Sequence, residues 1–147
     1  MTDEITRLAR NLPGGHPADP AALQAAGQAL GIEWPSDYVS LMTAHNGVEG
    51  DVGTFGLVLT PAEELVEVNN NDVMEFFPGL VVIGGDGGGE ALAIDRRSGE
   101  VLLVPWIGAQ EDWLILGPTL TDALRRMDRG DVFAAPHVRR SRDIPRP

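Results

Sequence analysis

The spacing of apolar and polar positions changes once along the chain, near residue 54, and separates a helical front from a mainly extended body. In the front, Ile5, Leu8 and Leu12 share one helical face, so a first helix is expected over Thr2 to Asn11, ended by Pro13, Gly14 and Gly15. Asp19 before Pro20 gives a cap and a proline in the first helical position, and Leu23, Ala26, Gly27 and Leu30 carry a second helix to Gly31. A third helix is expected from Ser36, read as its cap, with Tyr38, Leu41, Met42 and His45 on one stripe. Asn46 and Gly47 suit its C-terminal cap.

Beyond that point Phe55, Leu57 and Leu59 alternate with Thr54, Gly56 and Val58, as a strand running to Thr60 would. Thr60, Pro61 and Glu63 spell a capping box for a short inserted helix, and Asn69 to Asp72 read as a polar break after it. Leu80 to Ile83 is an apolar run too short for a helix and rich in β-branched residues, hence a buried strand. Three more strands are expected at Ala91 to Ile94, Val101 to Pro105 and Trp113 to Leu116, with Asp95 to Gly99 as a hairpin turn. A closing helix uses Leu120, Ala123, Leu124 and Met127, beginning near Thr119 or Thr121 and stopping at Gly130. Helices segregated from strands predict an α+β fold with a mainly antiparallel sheet. The expected organisation is one domain over residues 1–130 and a flexible Arg- and Pro-containing tail over 131–147.

Composition narrows the chemistry. The 147 residues suffice for one core, and the absence of cysteine excludes disulfides, thiolate metal sites and a cysteine nucleophile. Acids at Asp3 and Glu4 argue against a secretory signal, and no apolar run could span a membrane, so a cytoplasmic location is expected. The net charge is −11, from 22 acids against 11 arginines and no lysine, and thirteen acids lie between Asn11 and Asp95 without a single Lys or Arg. Such a body repels phosphate backbones, which counts against direct nucleic-acid binding and favours a basic partner.

Gly84 to Gly89 holds five glycines in six positions, but a strand rather than a helix is expected to follow, and a P-loop lysine is missing. A connection needing positive φ or close backbone approach is the expected role. Asp86, Glu90 and Asp95 lack EF-hand spacing and read as a solvated acidic loop rather than a calcium site. His16, His45 and His137 are far apart, and Ser36, Ser98 and Ser141 read as cap, turn and tail, so no nucleophile or metal motif is present and no enzymatic activity is expected. Glu49, Asp51, Glu63, Glu64, Glu67, Asp72 and Glu75 are the candidate anionic face for a basic partner. Trp106 and Trp113 flank a loop and are either core or interface anchors.

The order of these features resembles the SMI1/KNR4 family, also called the SUKH superfamily, from about Gly15 to Met127. Leu30, Gly31, Ile32, Trp34, Pro35, Ser36, Asp37 and Tyr38 look like its leucine-glycine followed by proline-x-x-tyrosine at a helix start. His45, Asn46 and Gly47 resemble its helix-ending asparagine-glycine, and Leu80 to Asp95, with Gly84, Gly88, Gly89 and Glu90, resembles its glycine-glycine-glutamate and apolar strand. Trp34 stands where an aliphatic residue is usual, and Gly117, Pro118 and Thr119 replace a common serine-phenylalanine. The resemblance implies a non-enzymatic α+β domain, and the motifs themselves lead to no expected cofactor or metal. Such a domain is often a bacterial immunity protein that binds and neutralises a polymorphic toxin, frequently a nuclease. Two further readings stand beside it: a regulatory or scaffolding module, and a small-ligand domain using the glycine-rich loop.

Overall fold

Three helices lead the chain in the computed structural model, which describes residues 2–13 and 15–137. They are α1 (Thr2–Leu8), α2 (Pro20–Leu30) and α3 (Ser36–His45). α1 ends before Asn11, giving way to turns that still bury Leu12. Asp19 caps α2 by accepting from the Ala21 N–H at 3.1 Å, and Gly31 closes it in the left-handed region at φ 72°. The Trp34 indole donates to the Leu23 carbonyl at 2.7 Å and its ring lies 4.8 Å from that of Tyr38, clamping α2 to α3. Gly27 makes room for this clamp, since a Cβ there would come within 2.8 Å of Trp34 Nε1.

Ser36 does not cap α3; Pro35 occupies that position without a side-chain bond, and Ser36 is the first helical residue. The capping chemistry has moved to Asp37, which faces inward toward α6 (Leu120–Arg129). Its buried carboxylate accepts from the N–H and the hydroxyl of Thr121, each at 2.9 Å, and so ties together segments 84 residues apart. Asp37→Ala is expected to leave two buried donors unpaired and to cost about 2 kcal/mol, read by urea unfolding.

The sheet is a six-stranded antiparallel meander in sequence order: β1 (Glu49–Val52), β2 (Phe55–Leu59), β3 (Leu80–Gly85), β4 (Glu90–Asp95), β5 (Val101–Pro105) and β6 (Leu114–Gly117). β1 was not expected, because its Glu-Gly-Asp start has no apolar alternation; it forms by pairing back on β2 across a turn with Gly53 at φ 61°. Between β2 and β3 lie a 3₁₀ turn (Ala62–Glu64), α4 (Leu65–Val68) and α5 (Asn71–Phe76). The capping box expected at Thr60 is absent: Thr60 donates its N–H to Ile83, in the neighbouring strand. Asn46 supplies the cap from a distance, accepting from the Ala62 N–H at 2.7 Å and donating to Glu63 at 3.2 Å. Gly47, at φ 72°, lets the chain pass directly against Pro61.

The expected polar break at residues 69–72 is itself structured. Asn70 caps α5 through the Val73 N–H, while Asn69 is buried. The Asn69 amide donates to the carbonyls of Leu65 and Val82, both at 2.9 Å, and accepts from the Val82 N–H at 2.7 Å. Pairing of β2 with β3 covers only the Gly84 and Gly85 end of β3, so Asn69 takes the place of a missing strand partner at Val82.

Leu57, Leu59, Val81, Ile83, Leu92, Ile94 and Leu103 face the main core beneath α1, α2, α3 and α6. Leu80, Val82, Ala91, Ala93, Leu102 and Val104 face a smaller core closed by Phe77 and Trp113. α6 touches both β1 and β6, so one helix spans the sheet from edge to edge. Beyond Gly130 a 3₁₀ turn (Val132–Ala134) packs on the domain, with Val132 and Ala135 buried. The Pro136 carbonyl then accepts from Ile115, and His137 bridges to Leu114. The packed structure therefore continues through residues 131–137, which the expected boundary at 130 had assigned to a tail; Arg139, Arg140, Arg142 and Arg146 lie outside the described residues.

Candidate protein-docking surface

The glycine-rich connection joins β3 to β4 and meets its sequence expectation of close backbone approach. A bulge falls between Val82 and Gly84, and a Cβ on Gly84 would lie 2.1 Å from the Val58 carbonyl oxygen. A Cβ on Gly85 would lie 2.4 Å from the Glu90 oxygen, and Gly87 holds φ 80°. Asp86 turns back onto its own loop, accepting from the N–H groups of Gly88 at 2.9 Å and Glu90 at 3.1 Å. Asp95 sits at the other end of β4, where it accepts from the backbone N–H groups of Arg97 and Ser98, so Asp86, Glu90 and Asp95 do not converge. Among the described residues no group of three or more His, Asp or Glu is placed to hold a metal ion. His45 Nδ1 lies 2.9 Å from the Pro13 carbonyl oxygen, a packing contact at the end of α3.

All seven acids of the candidate anionic face are exposed, but on three separate segments. Glu49 and Asp51 lie on β1, Glu63, Glu64 and Glu67 on the 3₁₀ turn and α4, and Asp72 and Glu75 on α5. Glu49 and Asp51 border a shallow groove that also takes in Asp86 and Gly87. From there the negative charge continues to Glu90 and Asp112. Partial burial, together with the neighbouring charges of Asp86 and Asp112, pushes the Glu90 carboxyl above the usual carboxylate range. These carboxylates repel one another at the end of the sheet where β3 meets β4. Sequence spacing did not group Glu90 with Asp112, because the loop from Trp106 to Trp113 brings them together only in three dimensions; the Trp106 N–H donates to the Gly89 carbonyl at 2.9 Å.

The same end carries exposed apolar side chains. Ile107 is 95% exposed and Phe133 66%, and both line a hollow with Glu90, Asp112 and His137. Trp106, 37% exposed, has its ring 5.3 Å from buried Phe77, beside Phe76 at 64%. The two tryptophans thus divide the roles left open for them: Trp113 is core, and Trp106 reaches the surface. Isoleucine and phenylalanine at such exposure, bordered by carboxylates, form the kind of surface that marks an interaction site.

In the family-motif set, Trp34 and Tyr38 build the helix clamp, Asn46 and Gly47 secure the turn after β2, and Gly84 permits strand contact. Tyr38 is fully buried, and burial pushes its phenol up. A Cβ on Gly89 would meet nothing within 4 Å, and one on Gly88 only the Asp86 carboxylate at 3.6 Å, so neither is required by packing.

A six-stranded antiparallel sheet layered with helices, whose loop end joins exposed apolar groups to carboxylates, defines an α+β domain with one distinctive surface. The chain belongs to the SMI1/KNR4 family (SUKH-1), whose sequence model matches residues 17–126. No curated protein sequence matches it. No helix among the described residues is long and apolar enough to cross a membrane.

Proposed function

We propose that this protein is a non-enzymatic immunity protein of the bacterial cytoplasm that binds a cognate polymorphic toxin domain and blocks it stoichiometrically. The observation that carries this reading is the loop end of the sheet, where Trp106, Ile107 and Phe133 are exposed beside Asp86, Glu90 and Asp112. Apolar anchors supply affinity at such a surface, and the carboxylates select a basic partner and speed its approach. A nuclease toxin, whose cleft is cationic for its own substrate, fits this chemistry. The seven acids at Glu49, Asp51, Glu63, Glu64, Glu67, Asp72 and Glu75 then act as a long-range field, with Glu49 and Asp51 nearest the contact.

Co-expression with the toxin domain encoded beside its gene is expected to restore growth, and the purified pair to form a one-to-one complex. Ile107→Asp should weaken that complex by about 30-fold, a hot-spot effect, and rising salt should slow association about tenfold. Glu90→Gln separates binding from stability. It removes a charge that the folded state holds under repulsion, so at neutral pH the variant should be at least as stable as the wild type while binding the toxin more weakly. Failure of rescue together with failure to form a complex would remove the immunity reading for that pair; a tight complex indifferent to both substitutions would move the contact to another face.

A further inference from the structure

The described residues include seven arginines, and five are accounted for within the fold. Arg7 and Arg125 pair with Glu4, Arg125 also with Asp122, Arg126 and Arg129 with Asp131, and Arg10 donates to the Arg7 carbonyl. Arg96 and Arg97 are different: among the described residues no hydrogen bond or ion pair holds either guanidinium, Arg96 being half-buried and Arg97 exposed, in a protein with twice as many acids as bases. Both line the same hollow of about 370 Å³, between the start of α3, the β4–β5 hairpin and the start of α6.

The Arg96 stem lies over Gly31, where a Cβ would be 3.8 Å from its Cδ, and its Nε–H is buried without an acceptor. The C-terminal end of α2 favours a cation there but gives it no hydrogen bond. Two carboxylates also line the hollow. Asp95 is committed to the Arg97 and Ser98 N–H groups through one oxygen, and Glu33 lies beyond ion-pair distance of both arginines. Pro35 and Pro118 form an apolar wall, and at Pro35 the first N–H groups of α3 have no side-chain cap. A buried donor without an acceptor is costly, and two arginines lining one hollow are suited to a planar or tetrahedral oxyanion.

We propose that this hollow is a binding site for a small oxyanion, a phosphate or carboxylate group held by Arg96 and Arg97. The site is separate from the loop end of the sheet and does not depend on the immunity reading. The test is a titration of the ¹⁵N-labelled protein with inorganic phosphate and with acetate, at ionic strength held constant by chloride, following the arginine Nε–H signals and the Ser98 and Gly99 amides. Saturable millimolar shifts confined to Arg96, Arg97 and the hairpin are expected, weakened at least about fivefold by Arg96→Gln or Arg97→Gln and unchanged by Arg10→Gln. Saturation by phosphate alone or by acetate alone assigns the anion and sustains the site. Shifts that stay linear for both anions, or that persist unchanged in both hollow variants, would overturn it.

Discussion

Asn69→Ala is expected to lower the unfolding free energy by about 3 kcal/mol, a large share of the stability of a domain this size. The substitution strands both backbone groups of Val82 at once, its N–H and its carbonyl, while the Leu65 carbonyl loses the amide and keeps the backbone N–H of residue 69. β4 lies along the other side of Val82, but on the side facing Asn69 no strand stands ready to take over, and at 4% exposure Asn69 admits little water. Asn69→Asp sharpens the test because shape is kept and only the donor is lost. Its carboxylate would face two carbonyl oxygens, so its pKa should rise in the folded state above the unfolded value. The deficit relative to the wild type is then full at neutral pH and shrinks as pH falls through the folded pKa, where the protonated acid can donate again. Urea unfolding at neutral and mildly acidic pH measures this; an Asp variant as stable as the wild type at pH 7 would refute the strand-substitute role.

A second large effect is expected at Gly84. A methyl group there would sit 2.1 Å from the Val58 carbonyl oxygen, which is backbone and cannot rotate away, so Gly84→Ala must push β2 from β3 at their short pairing. A loss of about 3 kcal/mol or more follows, since overpacking here also breaks ladder hydrogen bonds. Gly89→Ala is the matched control in the same loop. Its added Cβ meets nothing within 4 Å, and a change within about 0.5 kcal/mol is expected. Thermal unfolding of the two variants side by side distinguishes a glycine demanded by strand approach from one that packing leaves free. Equal, small effects would mean that the bulge at Val82 and Gly84 tolerates a side chain.

Elements that bury a regular stripe or a continuous apolar run were legible in the sequence. α2, α3, β5 and α6 follow from Leu23 to Leu30, Tyr38 to Met42, Val101 to Pro105 and Leu120 to Met127, because each pattern is local: the helices fill one face and β5 is a short apolar run buried on both. What was not legible depends on partners distant in sequence. β1 exists through its pairing with β2, α5 hides in a run of asparagines, and Asp37 reads as an ordinary first-turn acid until Thr121 arrives 84 residues later. The same holds for the surface. Individual acids could be named, but the meeting of Glu90 with Asp112 beside Ile107 and Phe133 requires the β5–β6 loop and the segment after α6 to fold onto one end of the sheet.

An open six-stranded meander has two free borders, each a row of backbone groups that could recruit a strand from another molecule and begin aggregation. This chain guards them differently. β1 is only four residues long and carries Glu49 and Asp51, so a second copy approaching that border meets like charge. At the opposite border, backbone at Pro136 and His137 occupies Ile115 and Leu114 before a foreign strand can. Residues 131–137 are thus part of what keeps the folded molecule from templating its own polymerisation. The acids on β1 have a task that would persist even if no partner ever touched them.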